Sequence, residues 1–352
     1  MYVVLAVFCF GVMIFVHEGG HFCAAKSLGV KVTEFSMGMG PRLFHFTRGE
    51  TDYSLRLLPL GGFCAMEGEE DDSDDPRAFS KAAAWKRLII FIAGSFMNFL
   101  LGFVITAILY SNATGFTGSV ICGFYENCPY EGDLQVGDEF YSVNGQRTWF
   151  SGNFSEYVGR TKEAGYVDLV IRRDGKKIEL PHYHMVPVEY PTGDGGMELK
   201  YGLYFDIAEN TPGNFLRYTW YSCLDTARLV WVSLGDLIAG AVPADDLTGV
   251  VGMVDYMAEA GEAASSVRAG VEEVLYIVSF ISINLAVMNM LPVPGLDGGH
   301  VATMLITELY ILIFRHAPNP KIERVLHAAG LVALLGFSFW IMFKDIIRIV
   351  IS

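Results

Sequence analysis

Residues 15–21 read Phe15-Val16-His17-Glu18-Gly19-Gly20-His21. Two histidines four residues apart on a helix share one face, so both imidazoles can reach a single metal ion. The glutamate between them lies beside the open coordination position, where a carboxylate can accept a proton from water. This HExxH pattern predicts a zinc site with His17 and His21 as ligands and Glu18 as the general base.

The chain that leads into this motif is almost wholly apolar from Met1 to Val16. At about 1.5 Å per residue, His17 lies about 24 Å along the helix, most of the way through a hydrocarbon core of about 30 Å. Ionisable groups at that depth are rare, costly and usually functional. A chance HExxH match remains the alternative. A signal peptide is not expected, because no Lys or Arg precedes the apolar run.

Composition indicates a polytopic membrane protein with room for one modest extramembrane domain. The chain has 352 residues, 52% of them hydrophobic, with a mean hydropathy of +0.36. Its net charge of −14 argues against a nucleic-acid partner, because no basic patch is available to meet phosphates. Much of the acidity lies in Glu67–Asp75, which reads as a solvated loop.

Four segments are long and apolar enough to be transmembrane helices. They are residues 2–28, 88–110, 274–291 and 328–343. Residues 215–238 read instead as an amphipathic helix at the membrane interface, because charged residues interrupt the apolar pattern. With the N-terminus outside, the parity of the crossings brings His17 and Asp297 near the cytoplasmic face. The basic residues that flank the first two spans agree with this orientation.

Two other segments have strand periodicity. Residues 41–63 alternate apolar and polar side chains around Arg48–Asp52, which predicts a β-hairpin directly after the metal helix. Residues 113–187 contain short strands and turn pairs such as Asp174-Gly175, a strong hairpin signal, and predict one small β-rich domain. The glycine-rich stretch at 192–196 reads as a linker.

The third span ends in Asn289-Met290-Leu291-Pro292-Val293-Pro294-Gly295-Leu296-Asp297-Gly298-Gly299-His300. Pro292 and Pro294 break the helix, and broken backbone at membrane depth is tolerated where it lines a cavity. A catalytic zinc ion takes three protein ligands plus water, and Asp297 is the natural third. In the second span, Asn98 lies on a face of small residues that favours helix packing. It is also a candidate to hydrogen-bond a metal ligand.

Together these motifs resemble the bacterial site-2 proteases, intramembrane zinc metalloproteases, in the group that carries one PDZ domain. The resemblance covers nearly the whole length. It is carried by His17–His21, Met37–Pro41, Pro59–Phe63, the Asn98 helix and Asn289–Gly299. Two departures are Ser95, where the family usually has proline, and Gly249–Gly252, which lacks the usual proline. Neither departure touches a predicted ligand, so both are expected to affect how a substrate fits and not the activity itself.

The resemblance implies roles for further residues. Zn²⁺ would be held by His17, His21 and Asp297, with Glu18 as the base. Asn289 would contact the substrate or the developing oxyanion, beside Pro292 and Pro294. The hairpin would be a membrane-reentrant β-loop. Because the Tyr53–Leu57 strand follows the metal helix closely, we predict that this strand, with Tyr53, Leu55 and Leu57, is the edge to which an unwound substrate adds.

The expected fold is an α-helical polytopic membrane protein with four transmembrane helices, a reentrant β-hairpin and an inserted β-rich PDZ domain. A metalloprotease core over 1–112 would be followed by the extracytoplasmic PDZ-like domain over 113–187. A linker with the interfacial helix would occupy 188–270, and the remaining membrane core 271–352. Cys122 and Cys128, in the outer domain, are either a disulfide or two packed thiols.

For partners, the resemblance implies the lipid bilayer and single-span proteins already trimmed outside the membrane by a site-1 protease. Examples are anti-sigma factors and remnant signal peptides. The alternative is a non-catalytic, PDZ-bearing membrane adaptor with a structural metal site. A structural zinc ion favours four protein ligands, whereas only three are evident here, beside an intact glutamate.

Overall fold

The computed structural model describes residues 1–69, 73–160, 165–191, 196–241, 248–316 and 319–351. The helices are α1 (Tyr2–Ser27), α2 (Ala84–Tyr110), α3 (Ser151–Gly159), α4 (Pro212–Ile238), α5 (Val250–Ala263), α6 (Val267–Asn289), α7 (Asp297–Phe314) and α8 (Pro320–Ile351). The strands are β1 (Val32–Arg48), β2 (Thr51–Met66), β3 (Gly115–Phe124), β4 (Glu139–Val143), β5 (Gln146–Arg147), β6 (Tyr166–Arg173), β7 (Lys176–His184), β8 (Val188–Pro191), β9 (Met197–Lys200) and β10 (Leu203–Glu209).

The chain divides into two compact units. One comprises Met1–Leu109 and Ser222–Ser352, and the other is Tyr110–Tyr221. The structure differs here from the predicted domain boundary at residue 187, because β10 pairs with β3 and completes the sheet of the second unit. The linker predicted at 192–196 falls mostly outside the described residues.

The Tyr110–Tyr221 unit is built on a sheet of strand order β10-β3-β4-β6-β7, with β5 paired to β4. The predicted hairpin at Asp174-Gly175 is confirmed between β6 and β7, and both turn residues have positive φ angles of 50° and 77°. Such angles suit the tight turn between strands of right-handed twist. The core of this unit includes Phe140 and Phe154, which are fully buried with ring centroids 4.4 Å apart.

Among the described residues, five helices are long and apolar enough to cross a membrane: α1, α2, α6, α7 and α8. The prediction named four spans and missed α7, whose 18 residues meet the requirement only narrowly. The amphipathic helix predicted at 215–238 is present as α4, and it is not one of the five. The chain is therefore a multi-pass membrane protein with one β-rich unit.

Helix α5 also departs from the prediction, which treated residues 188–270 as linker and interfacial helix. Met257 and Ala258 are buried in the core that α5 shares with α1 and α6. A Cβ atom added at Gly261 would lie 2.6 Å from the Tyr2 ring, so a small residue is required there. Apolar packing thus makes α5 part of the membrane unit.

Strands β1 and β2 both bend and form four paired segments. Their order across the sheet is 42–48, 51–56, 32–37 and 62–66, because residues 34–37 pair with 52–55 on one side and with 62–65 on the other. The hairpin prediction is confirmed and extended. The Tyr53–Leu57 strand is not the edge, since Tyr53 pairs with both Phe35 and Phe46. The edge nearer the metal helix is the 62–66 segment.

The two cysteines considered for a disulfide are free thiols. Cys122 is exposed on β3, whereas Cys128 is buried with its Sγ atom 3.7 Å from the Tyr201 carbonyl oxygen. Of the two alternatives for Cys122 and Cys128, the structure therefore shows two thiols and not a disulfide.

Adjacent glycines on α1 give a matched pair for testing the packing of α1 on α2. A Cβ atom at Gly20 would lie 2.5 Å from the Ala93 carbonyl oxygen, while one at Gly19 would meet no described atom within 4 Å. Gly20→Ala should therefore destabilise the protein by about 1–3 kcal/mol through overpacking. Gly19→Ala should be neutral or stabilising by up to about 1 kcal/mol. Thermal unfolding in detergent measures both, and equal midpoints would contradict this packing.

Candidate metal centre

Three potential ligand atoms from two helices converge on one point. Helix α1 supplies His17 and His21, whose Nε2 atoms are 3.3 Å apart. The first residue of α7, Asp297, places its Oδ2 atom 3.4 Å from each of those nitrogens. The four-residue spacing on α1 and the helix break before α7 are what bring these groups together. Within the described part of the chain, this is the one cluster of His, Cys, Asp and Glu side chains suited to a metal ion.

The spacing of these atoms fits tetrahedral zinc. Ligands about 2.0–2.1 Å from a tetrahedral centre stand about 3.3–3.4 Å apart, which is the separation observed here. The Oδ2 atom of Asp297 is buried and has no hydrogen-bond partner among the described residues. A buried carboxylate oxygen facing two imidazole nitrogens is stabilised by a cation between them.

Helix α2 fixes the orientation of the His21 ring. The Nδ1 atom of His21 lies 2.8 Å from the Ile90 carbonyl oxygen, which can only accept, so Nδ1 carries the proton. The lone pair on Nε2 therefore faces the ligand cluster, as metal binding requires. One turn further along α2, a Cβ atom at Gly94 would lie 2.7 Å from His17 Cε1, so only glycine leaves room for the two rings.

Asn98 stands beside the other histidine, as the sequence suggested. Its Nδ2 atom is 3.4 Å from His17 Nδ1, and its buried Oδ1 atom has no hydrogen-bond partner in the described residues. A metal ion on Nε2 leaves the proton on Nδ1, and of the two amide atoms of Asn98 only the oxygen can accept it. A 180° rotation of the amide would place Oδ1 against Nδ1–H and satisfy both groups.

Glu18 shares a cleft of about 760 Å³ with the three candidate ligands. One wall of this cleft is the edge segment of the hairpin sheet, from Gly62 to Met66, and it continues to Glu69. A Cβ atom at Gly62 would lie 3.0 Å from Glu18 Cγ, so the strand backbone passes directly beside the carboxylate side chain. An extended peptide lying along this edge would have its backbone next to Glu18 and the ligand cluster.

Three other predicted site residues lie at the end of α6 and in the loop that precedes Asp297. Asn289 is the last residue of α6, and Pro292 and Pro294 lie in the loop before α7. None of the three is among the described residues that line the cleft. Their positions set the path of the loop that delivers Asp297.

The Tyr53, Leu55 and Leu57 side chains do not line the cleft either, as far as the chain is described. Tyr53 packs against Phe22 and Phe46 within the sheet, with ring centroids 6.0 Å and 5.1 Å away. Tyr53 and Leu55 do not lie on an open edge, because each of them pairs with a neighbouring segment on both sides.

Sequence reasoning missed two features of the cleft. The predicted hairpin ends at residue 63 and gives no sign that 62–66 forms a sheet edge, because strand order depends on how β1 and β2 bend. His300 also lines the cleft, stacked on Phe91 with ring centroids 5.0 Å apart. Its position three residues after Asp297, one turn along the same helix, is a signal that the sequence contained.

Two histidines and an aspartate form a three-ligand set with a glutamate beside it, the arrangement typical of a metallopeptidase, here on helices apolar enough to cross a membrane. The chain matches the peptidase family M50 over residues 5–337 and belongs to that family.

Curated relatives match over almost their whole length. A Clostridium perfringens protein is 33% identical over 99% of both chains. A Clostridium acetobutylicum protein is 32% identical over 99% of this chain and 96% of its own. A Fusobacterium nucleatum protein is 30% identical over 97% of both. All three carry names that assign them, by inference, to the zinc metalloproteases.

One similar solved structure is a PDZ domain of an SdrC-like protein from Listeria innocua. The match covers 25% of this chain and 92% of that domain, at 20% identity and a TM-score of 0.20.

The Asn98 geometry gives a test with a matched control. Asn98→Asp keeps an oxygen that can accept from His17 Nδ1–H, whereas Asn98→Leu keeps the approximate size and removes it. We expect Asn98→Leu to weaken zinc binding by roughly 10- to 100-fold and Asn98→Asp to retain most of it. Competition against a chromophoric chelator gives both dissociation constants. Wild-type affinity in the leucine variant would remove Asn98 from the site.

Proposed function

We propose that this protein is a zinc-dependent intramembrane endopeptidase that cleaves the transmembrane segments of single-span proteins. The observation that carries the proposal is the triangle of His17 Nε2, His21 Nε2 and Asp297 Oδ2, spaced 3.3–3.4 Å apart. A zinc ion held there would act as a Lewis acid on the scissile carbonyl and acidify water. Three ligands leave a position open, as a catalytic site requires.

The chain's own residues supply the rest of the chemistry. Glu18 faces the same cleft and takes a proton from the attacking water, then returns it to the leaving amine nitrogen. Asn98 and the Ile90 carbonyl oxygen hold the two imidazoles in place. Asn289, at the end of α6, is the candidate to hydrogen-bond the substrate backbone or the oxyanion.

The substrate binds as an added strand in this proposal. A transmembrane helix must be unwound before cleavage, and its freed amides need new partners because lipid offers none. The 62–66 segment pairs with 32–37 and has no second β partner among the described residues, and it forms a wall of the cleft. This edge replaces the Tyr53–Leu57 strand as the proposed docking site, and its main-chain bonds place little demand on sequence.

We assign the substrates to single-span proteins already trimmed outside the membrane, such as anti-sigma factors and remnant signal peptides. The β-rich Tyr110–Tyr221 unit would act as an extracytoplasmic, PDZ-like filter, and the metal centre would lie near the cytoplasmic face, where water can reach it. In this arrangement the hairpin re-enters the bilayer. The rival proposal is an adaptor with a structural metal, which would bind single-span partners without cleaving them.

Variants of the centre separate metal binding from chemistry. Glu18→Gln should retain about one zinc ion per chain and lose cleavage by at least roughly 10²- to 10⁴-fold, because the base is removed and the ligands are kept. His17→Ala and Asp297→Ala should lose both zinc and cleavage. Metal analysis and cleavage of a reconstituted single-span substrate give the two readouts. Undiminished cleavage by Glu18→Gln would refute its role, and zinc binding without any cleavage by wild type would favour the adaptor.

Strand addition can be tested on the substrate side. Successive amides of an extended segment point to opposite sides, so only every second N–H can pair with the 62–66 edge. Synthetic substrates N-methylated at single positions near the cut should therefore alternate between strong and weak inhibition of cleavage along the chain. The unmethylated peptide is the control, and cleavage rates provide the measurement. A uniform effect at all positions would argue against docking on a strand edge.

A further inference from the structure

Helix α8 makes very close backbone contacts with the loop that leads into Asp297. A Cβ atom at Gly295 would lie 2.8 Å from the Leu331 backbone nitrogen of α8, and Gly295 has a φ angle of 96°. On the facing side, a Cβ atom at Gly330 would overlap the Pro294 carbonyl group. Glycine at both positions lets the two backbones touch, so α8 lies directly against the residues before Asp297.

One turn earlier on α8, His327 links both flanks of Asp297. The Gly295 N–H donates to His327 Nδ1 over 3.3 Å. His327 Nε2 lies 3.0 Å from Thr303 Oγ1, which donates in turn to the Gly299 carbonyl oxygen over 3.0 Å. Because Nδ1 accepts, the ring proton is on Nε2 and is donated to the threonine hydroxyl. The chain of hydrogen bonds thus runs from two residues before Asp297 to two residues after it.

The His327 ring is also held from its face. It is buried and stacks on His300 with centroids 3.8 Å apart and planes 8° from parallel. His300 stacks in turn on Phe91 of α2, the helix that also orients His21 through Ile90. The three rings form a continuous column from α2 through α7 to α8, so His327 has little freedom to turn away from its two partners.

We infer that His327 is a positioning residue for Asp297: it fixes both flanks of the aspartate and thereby sets where its carboxylate meets the metal ion. The inference rests on the proposed metal centre. The physical basis is that Asp297 is the only one of the three proposed ligands on α7, at the junction of a broken loop and a helix start. The two ring nitrogens of His327 hold that junction, one as an acceptor and the other as a donor. A residue that only filled space would need neither hydrogen bond.

The test compares two variants: one keeps an aromatic ring, and the other keeps one hydrogen-bond acceptor. His327→Phe keeps an aromatic ring against His300 and removes both hydrogen bonds, while His327→Asn offers an oxygen near the position of Nδ1 for the Gly295 N–H. Cobalt(II) is the probe, because its visible absorption reports both binding and coordination geometry. We expect His327→Phe to bind cobalt roughly 10- to 100-fold more weakly, with an altered spectrum, and His327→Asn to recover part of both.

A second pair keeps the inference testable if His327→Phe does not fold. Thr303→Val removes the hydroxyl link with little change in shape, and Thr303→Ser retains it. Thr303→Val should weaken cobalt binding and shift its spectrum, Thr303→Ser should not, and the metal-free proteins should unfold at similar temperatures. The inference would be overturned if both His327→Phe and Thr303→Val bound cobalt with wild-type affinity and spectrum. If His327→Phe does not fold, the same result in Thr303→Val alone would overturn it. Absence of cobalt binding by wild type would overturn the metal centre itself, and the inference with it.

Discussion

The membrane unit must hold ionisable side chains among apolar helices, and this requirement constrains the rest of its structure. Groups such as His21 and Asp297 are costly in a hydrocarbon environment unless each polar atom has a partner. Here the partners come from backbone and side chains of neighbouring helices: the Ile90 carbonyl for one imidazole and Asn98 for the other. The remaining lone pairs face one another, and a metal ion in that position would complete the arrangement.

Close approach between helices makes those contacts reachable. Gly20 and Gly94 lie where α1 and α2 meet, and each leaves room that a methyl group would fill. Further along, Gly102 accepts Ile283 of α6, and the Ser279 hydroxyl donates to the Gly102 carbonyl oxygen over 2.9 Å. Small residues with hydroxyl bonds are the usual means of packing helices in lipid, where apolar burial gives little driving force. The stability of the helix bundle and the geometry of the centre are thus set by the same glycines.

The hairpin sheet connects this centre to the proposed substrate. Partly buried polar groups tie its segments together: Arg56 donates to Glu34 over 2.8 Å and to Ser36 over 2.9 Å. These bonds fix the middle segments, so that the 62–66 edge stands beside Glu18 as a preformed surface. A fixed edge lowers the entropic cost of ordering an unwound peptide, which suits a site that must accept varied sequences.

The sequence by itself determined the candidate metal ligands and the class of fold, because these depend on local patterns. His17 and His21 are four apart on one helix, Asp297 follows a proline-broken segment, and long apolar runs specify helices in a membrane. Only the tertiary structure decided which strand is the sheet edge, that α5 belongs to the core, and that His327 reaches the loop of Asp297. Those features come from contacts between residues far apart in the chain, for which hydrophobic periodicity and spacing carry no signal.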